Sequence, residues 1–212
     1  MNIKPTIPYL TKQLAMPENI VPFVKEAVLL LPGEEEAHFL QLFSMTTIDL
    51  DPQNNLEWFM TIDAACLLWD MQRYRGWKNA SIALHHSSAV GEALMQTHPG
   101  FLALGYNETI HAAVRVEHEA WRKDPAAADE LRTRLDAMGY TQDGLLATAF
   151  ARAAETIVRI EQLMASCRRQ FSRLVNEAIV RKEFRIRAHR FAKKQQAKNV
   201  SDLSQKSAED GV

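Results

Sequence analysis

LATAFARAAETIVRIEQLMASCRRQFSRLVNEA, residues 146–178, decides the fold. Leu146, Phe150, Ala153, Ile157, Ile160, Met164, Cys167, Phe171, Leu174 and Ala178 alternate at steps of four and three. An apolar residue every three and a half positions is the seam of a helix that packs lengthwise on another helix. The spacing predicts a helix from 142 to about 196, roughly 80 Å long at 1.5 Å per residue. Such a helix needs a long partner. DLDPQNNLEWFMTIDAACLLWDMQRYRGWKNASIALHHSSAVGEALMQTHPG, residues 49–100, supplies one. It opens on Asp51-Pro52, a cap followed by a first-turn proline, and closes on Pro99-Gly100. Trp58, Ile62, Ala65 and Trp69 follow steps of four, three and four, so this helix, at about 52–96, also carries an apolar face. Gly76 and Gly91 are the places where it could bend.

The expected fold is all-α. Two long antiparallel helices, about 52–96 and 142–196, carry shorter helices at about 23–30, 34–44, 107–122 and 125–138. Asn107 and Asp124-Pro125 start the two between the long ones, and Thr141 caps the last. Five prolines in residues 1–33 point to an extended, turn-rich segment wrapped on the helical body. One helical domain is expected over 34–198, with residues 199–212 as a polar, disordered tail.

Composition narrows the class. Apolar residues make up 47% of the 212, enough for a sizeable core. The chain starts without an apolar leader and has no apolar run of membrane-spanning length, so a cytoplasmic protein without a membrane span is expected. Cys66 and Cys167 lie within apolar helical patterns and read as buried, reduced thiols. No Gly-rich phosphate loop, nucleophile elbow or cofactor fingerprint occurs, so no cofactor is expected and the chain leans away from enzymes.

The formal net charge of −1 conceals a split. Residues 1–180 carry 16 basic and 22 acidic side chains, whereas residues 181–198, RKEFRIRAHRFAKKQQAK, carry eight and one. The eight are Arg181, Lys182, Arg185, Arg187, Arg190, Lys193, Lys194 and Lys198, candidates for nucleic-acid contact. On a helical wheel they surround the axis as a girdle that suits phosphate contact without base readout. Val180, Phe184, Ala188 and Phe191 make a narrow apolar stripe among them. The function expected is a non-enzymatic helical interaction protein. It self-associates as a homo-oligomer, or binds a helical protein partner, through Ile157, Ile160, Met164, Cys167, Phe171 and Leu174, and contacts nucleic acid through 181–198.

The alternative is a ferritin-like metal-dependent enzyme. Two Glu-x-x-His pairs, Glu35 with His38 and Glu108 with His111, have the helical spacing used in carboxylate-bridged di-metal sites. The remaining carboxylates such a site needs, Asp63, Asp70, Glu155 and Glu161, lack the required pattern. His111 and His118 share a face, and Ser87-Ser88 follow His85-His86 on one helix, where an exposed polar stretch is the plain reading. Trp58, Phe59, Trp69, Tyr74 and Trp77 at helical spacing read as core.

Three segments carry a resemblance. The Leu31-Pro32-Gly33-Glu34 turn, Trp69-Asp70 followed by Arg73 and Arg75, and Arg168-Arg169 ahead of Phe171 resemble the segments of a bacterial group of all-helical proteins for which no activity is established. The resemblance implies all-helical architecture and nothing catalytic.

Overall fold

The computed structural model describes residues 6–100 and 107–209, the side chains of 197–209 excepted. Within them the chain is all-α, in the order α1 (Ile7–Gln13), α2 (Val21–Ala27), α3 (Glu36–Leu50), α4 (Asn55–Thr97), α5 (Glu108–Lys123), α6 (Pro125–Ala137) and α7 (Gln142–Glu209). No strand occurs among the described residues. Neither Gly76 nor Gly91 interrupts α4.

Caps explain most boundaries. The Asn107 side chain accepts from the Thr109 amide at 2.8 Å, and Asp124 accepts from the Ala126 amide at 2.9 Å. Thr141 Oγ1 accepts from the Gly144 amide at 3.2 Å. Gly139, at φ +89°, turns the chain out of α6, a left-handed conformation that glycine takes without a Cβ penalty. The start of α4 differs from the sequence expectation. Asp51 is the left-handed C-cap of α3, at φ 50°, and Asn54 caps α4 by accepting from the Glu57 amide at 3.0 Å.

Two expectations at the chain ends need correcting. Among the described residues, the proline-rich segment 1–33 contains α1, where extended chain was expected, and α2, which lies near the short helix expected at about 23–30. Each has a proline in its first turn, Pro8 and Pro22, where no amide donor is missed. Residues 199–209 of the expected tail continue α7; residues 210–212 lie outside the described residues.

The expected single helical domain divides into two compact units, residues 1–71 with 166–212 and residues 72–165. In the first, α1, α2, α3 and the start of α4 enclose a core of Leu10, Ile20, Val24, Phe39, Leu40, Phe43, Trp58, Ile62, Ala65 and Trp69. Phe39 meets Trp69 edge to face at 5.9 Å between ring centroids, and Phe43 lies 6.5 Å from Trp58. These contacts place Trp58 and Trp69 of α4 in the core, as their spacing predicted, whereas Phe59 and Trp77, read as core from the same spacing, are exposed. The chain also pairs α4 with α7 here, Glu57 meeting Arg185 while Asp63 to Asp70 line a groove with Gln170, Arg173 and Leu174. Numbers rise along one helix as they fall along the other, so the pairing is antiparallel.

The second unit packs Val90, Ala93 and Leu94 of α4 on Ile110 and Val114 of α5, Leu131 and Leu135 of α6 and Leu145 of α7. Lys78 Nζ meets Glu161 at 2.6 Å, and Arg152 grips both oxygens of Glu92 at 2.6 and 2.7 Å, again antiparallel. The seam of α7 departs from its sequence pattern at the start. Leu145 and Ala149 are buried there, whereas Phe150 is exposed, so the seam begins one position earlier and steps by four to Ala153. A straight helix turns every 3.6 residues and drifts off a strict seven-residue repeat, which accounts for the slip.

His86 is half-buried in this unit, its ring 5.8 Å from that of Trp121. Burial pushes its pKa below the ordinary value of 6.5. The unfolded chain then binds the proton more readily, so stability falls as pH drops below about 6.5 and levels off below the folded pKa. Urea melts at pH 7.5 and 5 are expected to differ less in His86→Gln than in the parent chain. An unchanged difference would assign the effect to another group.

Candidate functional site

The candidate site is the C-terminal part of α7. Its basic side chains fall into two sets. Arg181 donates to Glu177 at 2.7 Å and Arg187 to Glu183 at 3.2 Å, both across one helical turn. Lys182 Nζ lies 3.5 Å from Asp51. Arg185 Nη1 donates to both oxygens of Glu57, at 2.8 and 2.6 Å. Four of the eight candidate bases are therefore held by carboxylates of the same chain.

Of the rest, Arg190, Lys193 and Lys194 are exposed and have no ion pair among the described residues. The Lys198 side chain lies outside the described residues. Taking Phe184 as zero and 100° per residue, Lys193, Arg190 and Lys194 fall at about 180°, 240° and 280°. The eight bases encircle the helix, but the three left unpaired share an arc of about 100°. Ion pairing thus turns the girdle expected from the sequence into a face.

Val180, Phe184, Ala188 and Phe191 lie within about 40° of zero. All four are exposed: Val180 to 65%, Phe184 to 74% and Phe191 to 65%. Arg185 is the last described side chain of α7 that is even half-buried, and every residue from Ile186 to Gln196 is exposed. This stretch presents an apolar stripe on one side and unpaired cations on another.

Arg185 belongs to the fold. The Glu57 carboxylate is 11% exposed, and burial works against its charge. The Gln53 amide, donating at 2.7 Å, and the Arg185 guanidinium outweigh burial and hold the carboxyl below its ordinary pKa of 4.5. The pair's contribution is therefore present above about pH 4.5 and is lost as pH falls through the lower folded value. Arg185→Gln leaves the carboxylate with less compensation. The expected cost is about 1–3 kcal/mol, with acid unfolding starting at higher pH. Urea melts and an acid titration followed by circular dichroism check both.

The six seam residues named for self-association lie against the chain's own packing. Ile160, Met164 and Cys167 are buried, and Ile157, Phe171 and Leu174 are half-buried. Burial, with Asp70 adding to it, pushes the Cys167 thiol pKa up, so this cysteine stays protonated.

The metal alternative gains no third ligand. Glu35 is the exposed N-cap of α3 and His38 lies in its first turn; Glu108 and His111 lie in the first turn of α5. Among the described residues no group of three or more His, Cys, Asp or Glu side chains could hold a metal ion.

One constellation escaped the sequence pattern. Ser87 Oγ lies 3.0 Å from His118 Nε2, joining α4 to α5, whereas the sequence set Ser87 and Ser88 beside His85 and His86. The signal was the shared face of His111 and His118. What lay opposite that face depends on how the two helices dock, since Ser87 and His118 are 31 residues apart.

No family model matches the chain, and neither curated proteins nor solved structures give a match. The functional reading rests on the chain's own side chains.

Proposed function

We propose that this chain is a non-enzymatic helical interaction protein whose last helix contacts nucleic acid through Arg190, Lys193 and Lys194, with Lys198 next in sequence. The observation that carries the reading is the sorting of the bases: four are satisfied by carboxylates and three are exposed on one arc. Three cations without an ion pair among the described residues suit the phosphate backbone, which binds by charge and carries no sequence information. Contact of this kind is weak, salt-sensitive and indifferent to base sequence. Electrophoretic retardation of mixed-sequence duplex DNA at two salt concentrations tests it. Retardation at low salt that vanishes at high salt is expected; none at low salt would remove the reading.

A second reading concerns the apolar stripe. The exposed stripe of Val180, Phe184, Ala188 and Phe191 favours self-association of the last helix. Fully burying an aromatic of this size is worth about 1.5–3 kcal/mol, so two phenylalanines per chain supply a useful driving force. Arg190, Lys193 and Lys194 lie at about 180–280°, outside the stripe, so pairing along the stripe leaves those three free. Light scattering is expected to show a concentration-dependent dimer that Phe184→Glu abolishes. A monomer at every concentration would eliminate self-association and leave nucleic-acid contact standing.

A further inference from the structure

The second unit contains a cleft that the last helix does not involve. Its volume is about 360 Å³, within the usual range for small-molecule sites. Ser87, Ser88, Gly91, Glu92 and Met95 of α4 line one side, and His111, Val114, Arg115 and His118 of α5 line the other. These residues give it a definite chemical preference.

Charge is the first consideration. Glu92 is the carboxylate on the wall, and Arg152 already binds both its oxygens. That guanidinium holds the Glu92 carboxyl below its ordinary pKa, and Ser88 donates a further hydrogen bond to it. Arg115 is exposed and has no carboxylate partner among the described residues. Arg134 and Lys123, elsewhere in the same unit, are engaged by Glu117 and Glu119. The acid of the cleft is thus neutralised while its arginine is free, leaving a net positive wall.

Hydrogen bonding is the second. The His118 ring stacks on Trp121, with centroids 5.4 Å apart and planes 15° from parallel, which fixes the ring's direction. Gly91 lies across from it: a Cβ there would stand 4.0 Å from His118 Nε2, an ordinary contact. When Nε2 carries a proton it donates to Ser87 Oγ, and the Ser87 hydroxyl is then free to donate into the cleft. Met95 and Val114 give the wall an apolar part.

We propose that this cleft binds a small organic oxyanion, its charged group held by Arg115 and the Ser87–His118 pair and its carbon chain lying on Met95 and Val114. The shared chemistry is a carboxylate or phosphate oxygen array facing a guanidinium, which pairs with either through two parallel hydrogen bonds. The inference is independent of the role of the last helix.

The test follows the His118 imidazole signals of the full chain by two-dimensional NMR. Inorganic phosphate and butyrate are titrated separately at constant ionic strength. At least one is expected to shift His118 saturably, with Kd below about 10 mM. Phosphate acting alone would assign a phosphate monoester, and butyrate alone a carboxylate. Arg115→Gln is expected to weaken the better anion at least tenfold, whereas Arg122→Gln, exposed on the same helix, leaves it unchanged. Three results would overturn the proposal: no saturable shift from either anion at about 50 mM, unchanged affinity in Arg115→Gln, or an equal loss in both variants.

Discussion

A chain carrying Arg190→Gln, Lys193→Gln and Lys194→Gln is expected to melt with the parent and to lose retardation of duplex DNA at low salt. All three side chains are exposed and make no ion pair among the described residues, so removing their charge touches no contact of the fold. Surface changes of this kind stay within about 0.5 kcal/mol. Each base that meets a phosphate releases about one counterion, so three account for a log–log salt slope of about −2.7 on duplex DNA. Between 50 and 200 mM salt that slope corresponds to a loss of about 40-fold in affinity. Arg185→Gln should behave in the opposite way, losing stability through Glu57 while keeping most of the binding. Thermal melts and retardation assays on the two variants separate the structural bases from the free ones. A triple variant that binds like the parent would place the contact elsewhere.

Phe43→Ala is expected to cost about 3–5 kcal/mol, the range for deleting a buried aromatic. Phe43 has no exposed surface and lies beside Trp58, on the face of α3 that also buries Phe39 and Leu40. Its neighbours come from separate helices and are held by their own packing, so the site cannot collapse to refill the space. Total stability of a folded chain is only about 5–15 kcal/mol, so the change removes a large share of it. Chemical denaturation of both proteins measures the difference. A loss below about 1 kcal/mol would mean that the core is looser than its burial implies.

These two sites differ in how far the sequence reveals them. Trp58, Ile62, Ala65 and Trp69 repeat with the helical period, and all four are buried in the structure. The all-α fold and the antiparallel pair of long helices follow from such repeats, because one face of a helix must be covered. Proline gave the opposite lesson. Pro8 suggested extended chain, yet it opens a short helix as Pro22 does, since the first turn has amides to spare. The split at residues 71/72 and 165/166 was hidden because the periodic pattern of each long helix runs across it.

The site was legible only as composition. Eight bases in 18 residues are visible in the sequence. Which of them are free is not. Two are held across one helical turn by Glu177 and Glu183, a spacing that can be read directly. The other two pairs, Lys182 with Asp51 and Arg185 with Glu57, join residues more than a hundred positions apart and exist only once α7 has docked on the end of α3 and the start of α4. Docking likewise created the Ser87–His118 pair. Periodicity reports which face of a helix is covered, but not which side chain of another helix covers it.

The central claim is that the free bases of α7, rather than the whole basic segment, meet the polyanion. The salt dependence of duplex DNA binding by the parent chain tests it most directly. A log–log slope between about −2.7 and −3.6 is expected, the steeper value if Lys198 joins the other three. A slope of about −6 or steeper would mean that the paired bases are released to bind as well, and no binding at about 50 mM salt would mean that the free bases meet no phosphate; either result contradicts the account.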